Sequence, residues 1–159
     1  PSARSTKRRA KPSPWPAKFT CPVITEEPSP CSPGIAEAML ATTVEYVGVR
    51  HQFGRAIGSF QAVKHACADM AVHIRVARQL VDAAVDAVSE GLGGTAAAMA
   101  KAYATDSAVQ VTGKAMQLHG GIGYTWESGI HVYLKRAALN RSLFGSPGAH
   151  RRRIAARHR

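Results

Sequence analysis

The stretch Val63-Lys64-His65-Ala66-Cys67-Ala68-Asp69-Met70-Ala71-Val72-His73-Ile74-Arg75-Val76-Ala77-Arg78-Gln79-Leu80-Val81 decides the fold class. Its apolar residues Val63, Cys67, Met70, Ile74, Ala77 and Val81, continued by Ala84 and Val88, recur in alternating steps of four and three. That spacing puts them on one face of an α-helix, and so long a face demands neighbouring helices to cover it. Ser59 reads as the N-cap, and Gly91, Gly93 and Gly94 as the stop after about Glu90.

The flanks read the same way. Residues 35–50 predict a preceding helix, with Ile35, Met39, Val47 and the methyls of Thr42 and Thr43 near one face and Gly54 as its stop. Residues 95–119 predict a third, whose stripe is Met99, Ala102, Asp106, Val109, Gly113 and Met116. Asp106 interrupts that stripe, so either the face is rotated or the carboxylate has a partner. A fourth helix over 128–140 gathers Ile130, Leu134 and Ala137, and Pro147 opens a last short segment that dissolves into an Arg-rich tail. No strand-like alternation persists. The expected architecture is all-α: an up-down four-helix bundle over residues 34–150, between a disordered Pro-rich basic leader (1–33) and the tail (151–159).

At 159 residues the chain allows one domain with a real core. Its formal charge of +11 is unevenly placed: residues 1–33 carry six Lys/Arg against two acids, residues 151–159 five Arg and no acid, residues 34–150 ten against eight. The folded part is therefore nearly balanced, which argues against a basic surface built for nucleic acid and for solvated, disordered ends. Eight of the nine prolines fall in residues 1–33, which blocks helices there, including the amphipathic helix a transit peptide needs. Cys21, Cys31 and Cys67 form no CxxC pair, and Cys67 reads as a small core residue. No apolar run approaches membrane-spanning length, and a reducing cytoplasm is the expected compartment.

Two further stretches carry chemistry. Gln117-Leu118-His119-Gly120-Gly121-Ile122-Gly123-Tyr124-Thr125-Trp126-Glu127 has three glycines in four positions after a helix. Plain C-capping accounts for such a turn, and so does a ligand that must approach the backbone closely. It lacks the preceding strand of a dinucleotide-binding β-α turn. The other is Arg50-His51-Gln52-Phe53-Gly54-Arg55-Ala56-Ile57-Gly58-Ser59-Phe60-Gln61. Arg50 in the last turn of a helix meets the dipole favourably with or without a ligand, and Phe53 and Phe60 could simply close the bundle. His65, Asp69 and His73 can share a helix face, but three or four converging metal ligands cannot be assembled.

Arg-x-Gln-Phe-Gly-x-x-Ile-Gly-x-Phe-Gln, then Ala68-Asp69-Met70, then Gln-x-His-Gly-Gly-x-Gly-Tyr, resembles the C-terminal domain of flavin-dependent acyl-CoA dehydrogenases over residues 34–154. The resemblance implies FAD as cofactor and α,β-dehydrogenation of acyl-CoA thioesters as the family's reaction. It implies that Arg50, Gln52, Phe53, Phe60 and Gln61 contact the dinucleotide, with the planar guanidinium answering the pyrophosphate. Gln117, Gly120 and Gly121 would lie along its adenosine half, and Ser146 would join the cofactor contacts. Much of this crosses a subunit interface, so a homo- or hetero-oligomer is implied. Gly121 to Glu127 and His131 to Ala137 are similar to an actinobacterial branch that handles steroid or other bulky acyl-CoA thioesters.

The family's base is usually a Glu in a Glu-Gly-Thr/Ser triplet, and the matching triplet here is Phe144-Gly145-Ser146. Phe144 cannot accept a proton. Some members carry the base earlier, near a point matching Ile24, where Glu26 and Glu27 lie between Pro22 and Pro28 and no helix is expected. Glu127 is the remaining tempting carboxylate, though its simplest role is stabilising the first turn of the fourth helix. The resemblance covers only about the last third of such an enzyme. The chain alone is thus expected not to catalyse dehydrogenation, and to meet an acyl-CoA substrate only with the remaining domains or a full-length partner. A non-catalytic subunit of a hetero-oligomeric dehydrogenase, and a helical interaction module with basic tails, are the alternatives.

Overall fold

The computed structural model describes residues 31–158; the leader readings on residues 1–30, with Cys21, Glu26 and Glu27, lie outside the described residues. The described chain is a helical bundle: α1 (Cys31–Val49), α2 (Gln61–Ser89), α3 (Gly93–His119) and α4 (Ile130–Ser142), with a short α5 (Pro147–Ala155). A two-residue antiparallel hairpin, β1 (His51–Gln52) and β2 (Arg55–Ala56), and a 3-10 turn (Ile57–Ser59) join α1 to α2. A second 3-10 turn (Gly120–Tyr124) follows α3.

Helix α3 is the axis, and α1, α2, α4 and α5 all pack on it. Its buried residues Ala98, Ala100, Ala102, Ala104, Thr105, Ser107, Ala108, Val111, Thr112, Ala115, Met116 and His119 cover rather more than half of its circumference, leaving Met99, Gln110, Lys114 and Gln117 on an exposed face. Small side chains permit this, because helices can approach closely only where little projects between them. The expected single stripe on α3 is therefore too narrow, and Met99, counted on it, is 44 % exposed. The buried threonine hydroxyls donate to their own helix, Thr105 to Lys101 O, Thr112 to Ala108 O, and on α1 Thr43 to Met39 O (2.7 Å), so no polar atom is stranded by them. On α2 the stripe holds where it faces α3: Met70, Ile74, Ala77 and Ala84 are buried, while Val88 runs past the core and is exposed.

Helix ends correct the expectations locally. Helix α1 already includes Cys31, ahead of the expected start at Ile35. Phe60, not Ser59, is the N-cap of α2; Ser59 ends the 3-10 turn and donates its hydroxyl to Ala56 O (2.7 Å). At the far end Gly91 takes φ +76°, which lets Leu92 N–H reach back to Ala87 O at 2.8 Å and end the helix.

The Arg-rich tail is the larger correction. Residues 151–155 are helical, in α5, rather than dissolved. Ser146 Oγ accepts from Ala149 N–H as an N-cap, Pro147 sits at the helix start and is buried, and Arg151 reaches Asp106 Oδ2 (3.0 Å). Asp106 Oδ1 also accepts from Arg141 Nε of α4 (2.9 Å), so one carboxylate on α3 ties down two helices. That is the partner its place in the stripe requires. Burial pushes the Asp106 pKa up, but the hydrogen bonds and charges of Arg151 and Arg141 outweigh it and hold the carboxyl below its ordinary range. The stabilisation is therefore present above the unfolded aspartate pKa and lost as pH falls through the lower folded value. Both arginines are half exposed, so we expect Asp106→Asn to cost about 1 kcal/mol near neutral pH. A urea-midpoint series between about pH 6 and about pH 2 checks it: the difference between wild type and variant should shrink as the acid limb is reached.

Candidate functional site

The two motif stretches lie far apart in sequence and meet at one end of the bundle. Helices α1 and α3 run in the same direction, which brings the last turn of α1 beside the last turn of α3. There the rings of Tyr46 and His119 stack with centroids 4.3 Å apart and planes at 21°. The Tyr46 hydroxyl also donates to His119 O (3.4 Å). His119 is 6 % exposed. Its Nδ1 lies 2.8 Å from Ala115 O, and burial lowers its pKa against the opposing pull of that carbonyl. Neutral at pH 7, it donates from Nδ1.

On the α1 side, Arg50 N–H donates to Tyr46 O as the last helical bond, and Arg50 O accepts from Ile57 N–H across the mouth of the hairpin. The Arg50 guanidinium is exposed and has no carboxylate within ion-pair distance among the described residues. The hairpin turn is Phe53-Gly54, with φ +54° and +77°. Positive φ at both central residues is the geometry that matches strand twist, yet a phenylalanine there is strained. Phe53 is also 90 % exposed. Its ring meets Phe60 edge-on at 6.2 Å, and the Arg55 guanidinium lies 4.0 Å over the Phe60 ring centre. Gln52 and Gln61 are exposed nearby, Gln61 Nε2 lying 2.9 Å from His65 Nε2.

On the α3 side the glycines divide by role. Gly120 takes φ +62° to end the helix. Gly123 is buried, and a Cβ on it would sit 2.6 Å from Met116 O. Gly121 has neither constraint: its φ lies outside the left-handed region, and a Cβ there would meet nothing within 4 Å. Gln117 is exposed, with Lys114 Nζ donating to its Oε1 (3.2 Å).

Ser146 and Phe144 are not part of this cluster. Phe144 borders a surface cavity with Val88, Gly91 and Gly93, at the start of α3. From Gly93 to Gln117 the helix advances about 35 Å, so these residues occupy the opposite end of the chain. Phe144 is 91 % exposed at φ +56°. Glu127 precedes α4 by three residues and caps nothing in its first turn, which contains no acid. Its own backbone N–H and the Thr125 hydroxyl hold its carboxyl below the ordinary range in full solvent, the reverse of what a base at neutral pH requires. Among the described residues no group of three or more His, Cys, Asp or Glu could hold a metal ion, and no helix is long and apolar enough to cross a membrane. Cys67 is half-buried, and burial pushes its thiol pKa up.

Motif reading missed Tyr46 and Arg55. Tyr46 lies one helical turn before Arg50, so helical spacing puts the two on one face, but nothing in the sequence announces the stack on a residue 73 positions away. Arg55 sits between the two phenylalanines in sequence, a pattern that suits cation–π contact.

Residues 29–158 match the family described as acyl-CoA dehydrogenase, C-terminal domain. The acyl-CoA dehydrogenase IpdE2 of Mycolicibacterium smegmatis is 43 % identical over 123 residues, covering 77 % of this chain and 38 % of that protein. The solved structure of butyryl-CoA dehydrogenase from Megasphaera elsdenii superposes with a TM-score of 0.76 at 35 % identity, over 79 % of this chain and 33 % of that one. The FAD complex of PigA superposes with a TM-score of 0.76 at 30 % identity, over 80 % and 33 %. The chain spans about a third of the length of the relatives it matches.

Proposed function

The chain belongs to the acyl-CoA dehydrogenase family, as its C-terminal helical domain, and from that premise we propose that it holds the dinucleotide end of FAD and joins one subunit to another. Gly121 carries this reading. Capping explains Gly120 and packing explains Gly123, whereas nothing among the described residues demands a glycine at 121. A bare backbone facing open space suits a ligand that comes close to it.

The rest of the cluster fits the same group. Arg50 offers a planar fork with no ion-pair partner among the described residues, suited to a pyrophosphate, at the end of the bundle that also presents Gly121. Gln117, Gln52 and Gln61 add exposed amides, able to donate and accept towards ribose or adenine. Phe53, held strained and exposed, and Phe60, under Arg55, supply flat apolar surface. Bound FAD supplies the hydride acceptor for α,β-dehydrogenation of an acyl-CoA thioester; the residues named here bind and orient it. Ser146 lies at the opposite end of α3, so a cofactor that touches both ends does so between two chains. The functional unit in this reading is an oligomer, of like subunits or of this chain with a full-length homologue. Phe144 cannot take the α-proton and Glu127 is poorly suited to it, so the base belongs to a partner or to parts of the enzyme beyond this chain. The substrate is an acyl-CoA thioester, in the bulky or steroid class if the branch resemblance extends to the pocket.

The test is FAD titration by flavin fluorescence, with the purified chain alone and mixed with a full-length homologue. Binding in at least one condition is expected. Gly121→Ala should weaken it about tenfold while changing stability by less than about 0.5 kcal/mol. No binding in either condition, or an unchanged affinity for Gly121→Ala, overturns the reading.

A further inference from the structure

We propose that Tyr46 and His119 are positioning residues: their stacked pair is the joint that fixes the Gly120–Gly121 turn against the Arg50 hairpin. The inference rests on the cofactor reading above and adds to it what keeps two separate halves of the cradle in register.

The joint is read from its connections. Tyr46 O accepts the N–H of Arg50, so the tyrosine backbone sets where α1 ends and where that arginine begins. Its ring lies flat on His119, and its hydroxyl donates to the carbonyl of the same residue. That carbonyl belongs to the peptide joining His119 to Gly120, so the hydroxyl holds the peptide plane that leads into the turn. His119 cannot swing to another place: it is buried, its Nδ1 is tied to Ala115 O one helical turn back, and its Cβ lies 3.1 Å from where a Gly123 Cβ would be. Gly120 and Gly121, by contrast, have no neighbour within 4 Å of a would-be Cβ and no side chain of their own. An open two-glycine turn has many conformations available to it. The side-chain contact that reaches the adjoining residue from across the cluster comes from Tyr46. A dinucleotide contacted by Arg50 on one side and by the Gly121 backbone on the other needs those two at a fixed separation, since any disorder must be removed when it binds.

The test uses the full chain with ADP as probe, in wild type, Tyr46→Phe and Tyr46→Leu. Tyr46→Phe keeps the ring and loses only the hydroxyl bond, so Tm should be nearly unchanged. Amide exchange at Gly120 and Gly121 should rise, and ADP affinity should fall about three- to tenfold, the range expected for one hydrogen bond. Tyr46→Leu should speed exchange further and weaken ADP more than Tyr46→Phe does, beyond any change that tracks its lower Tm. If exchange and ADP affinity in Tyr46→Phe match wild type, the positioning role is overturned and the cofactor reading stands. If wild type binds no ADP, alone or mixed with a full-length homologue, while exchange still responds to the variants, the cofactor reading falls, and the joint is a packing feature only.

Discussion

Gly123→Ala should destabilise the chain by about 3 kcal/mol, lowering Tm by roughly 10 °C in a domain of this size. The added Cβ would sit 2.6 Å from Met116 O, 3.2 Å from Met116 Cα and 3.1 Å from His119 Cβ. Two of those atoms are backbone of α3, the helix on which every other helix packs, so they cannot give way without moving the core. The turn itself is the softer party, and it will move. Gly123→Ala should therefore also weaken FAD, whereas Gly121→Ala should weaken FAD alone. Thermal melts of the two variants side by side check this. Equal Tm values would mean that the turn folds in some other way than onto the end of α3.

Those two glycines also show what a sequence can and cannot disclose. Three glycines after a helix announce a turn, but not which one ends the helix, which one packs and which one is left open. That assignment needs the path of α3 and the positions of Met116 and His119 around it. The same limit applies at Phe53 and Phe144. Positive φ is normally foretold by Gly or Asn, so a phenylalanine in that conformation cannot be recognised in advance. The meeting of the two motif stretches was legible only through the resemblance; the contact that makes it, Tyr46 on His119, depends on the register of two helices and carries no local signal.

Where physics is local, the chain reads well. Steps of four and three on α2 locate Met70, Ile74, Ala77 and Ala84 in the core because periodicity and burial share one cause. Asp106 in the α3 stripe asks for a partner, and Arg141 and Arg151 supply it. The tail departs from its sequence expectation because two local signals conflict there. Consecutive arginines argue for a solvated end, while Ser146-Pro147 is a good helix start. The cap prevails because Pro147 is buried and Asp106 takes up one of the arginine charges.

Ile130→Ala should lose about 3 kcal/mol, within the range for truncating a buried isoleucine. Ile130 is 1 % exposed, in the cluster with Ala36, Met39, Met70, Ile74, Val111, Ala115 and Met116, where α1, α2 and α3 meet the start of α4. The helix start there has little else to hold it: the N-cap is Gly129 at φ +66°, the first turn has no acid, and the side-chain cap is a long bond from Ile130 N–H to Ser128 Oγ (3.4 Å). Burial of this one side chain does the work that capping does elsewhere. Truncation should consequently fray α4 from its first turn and loosen the segment from Gly120 to Gly129, which lies between the core and the candidate cofactor site. Amide exchange in that segment, with urea midpoints for Ile130→Val and Ile130→Ala, separates the effects. Ile130→Val should cost about 1 kcal/mol and leave exchange near wild type. Ile130→Ala should raise exchange there more than in α2, and a uniform rise across all helices instead would mean that α4 is held by its neighbours along its whole length.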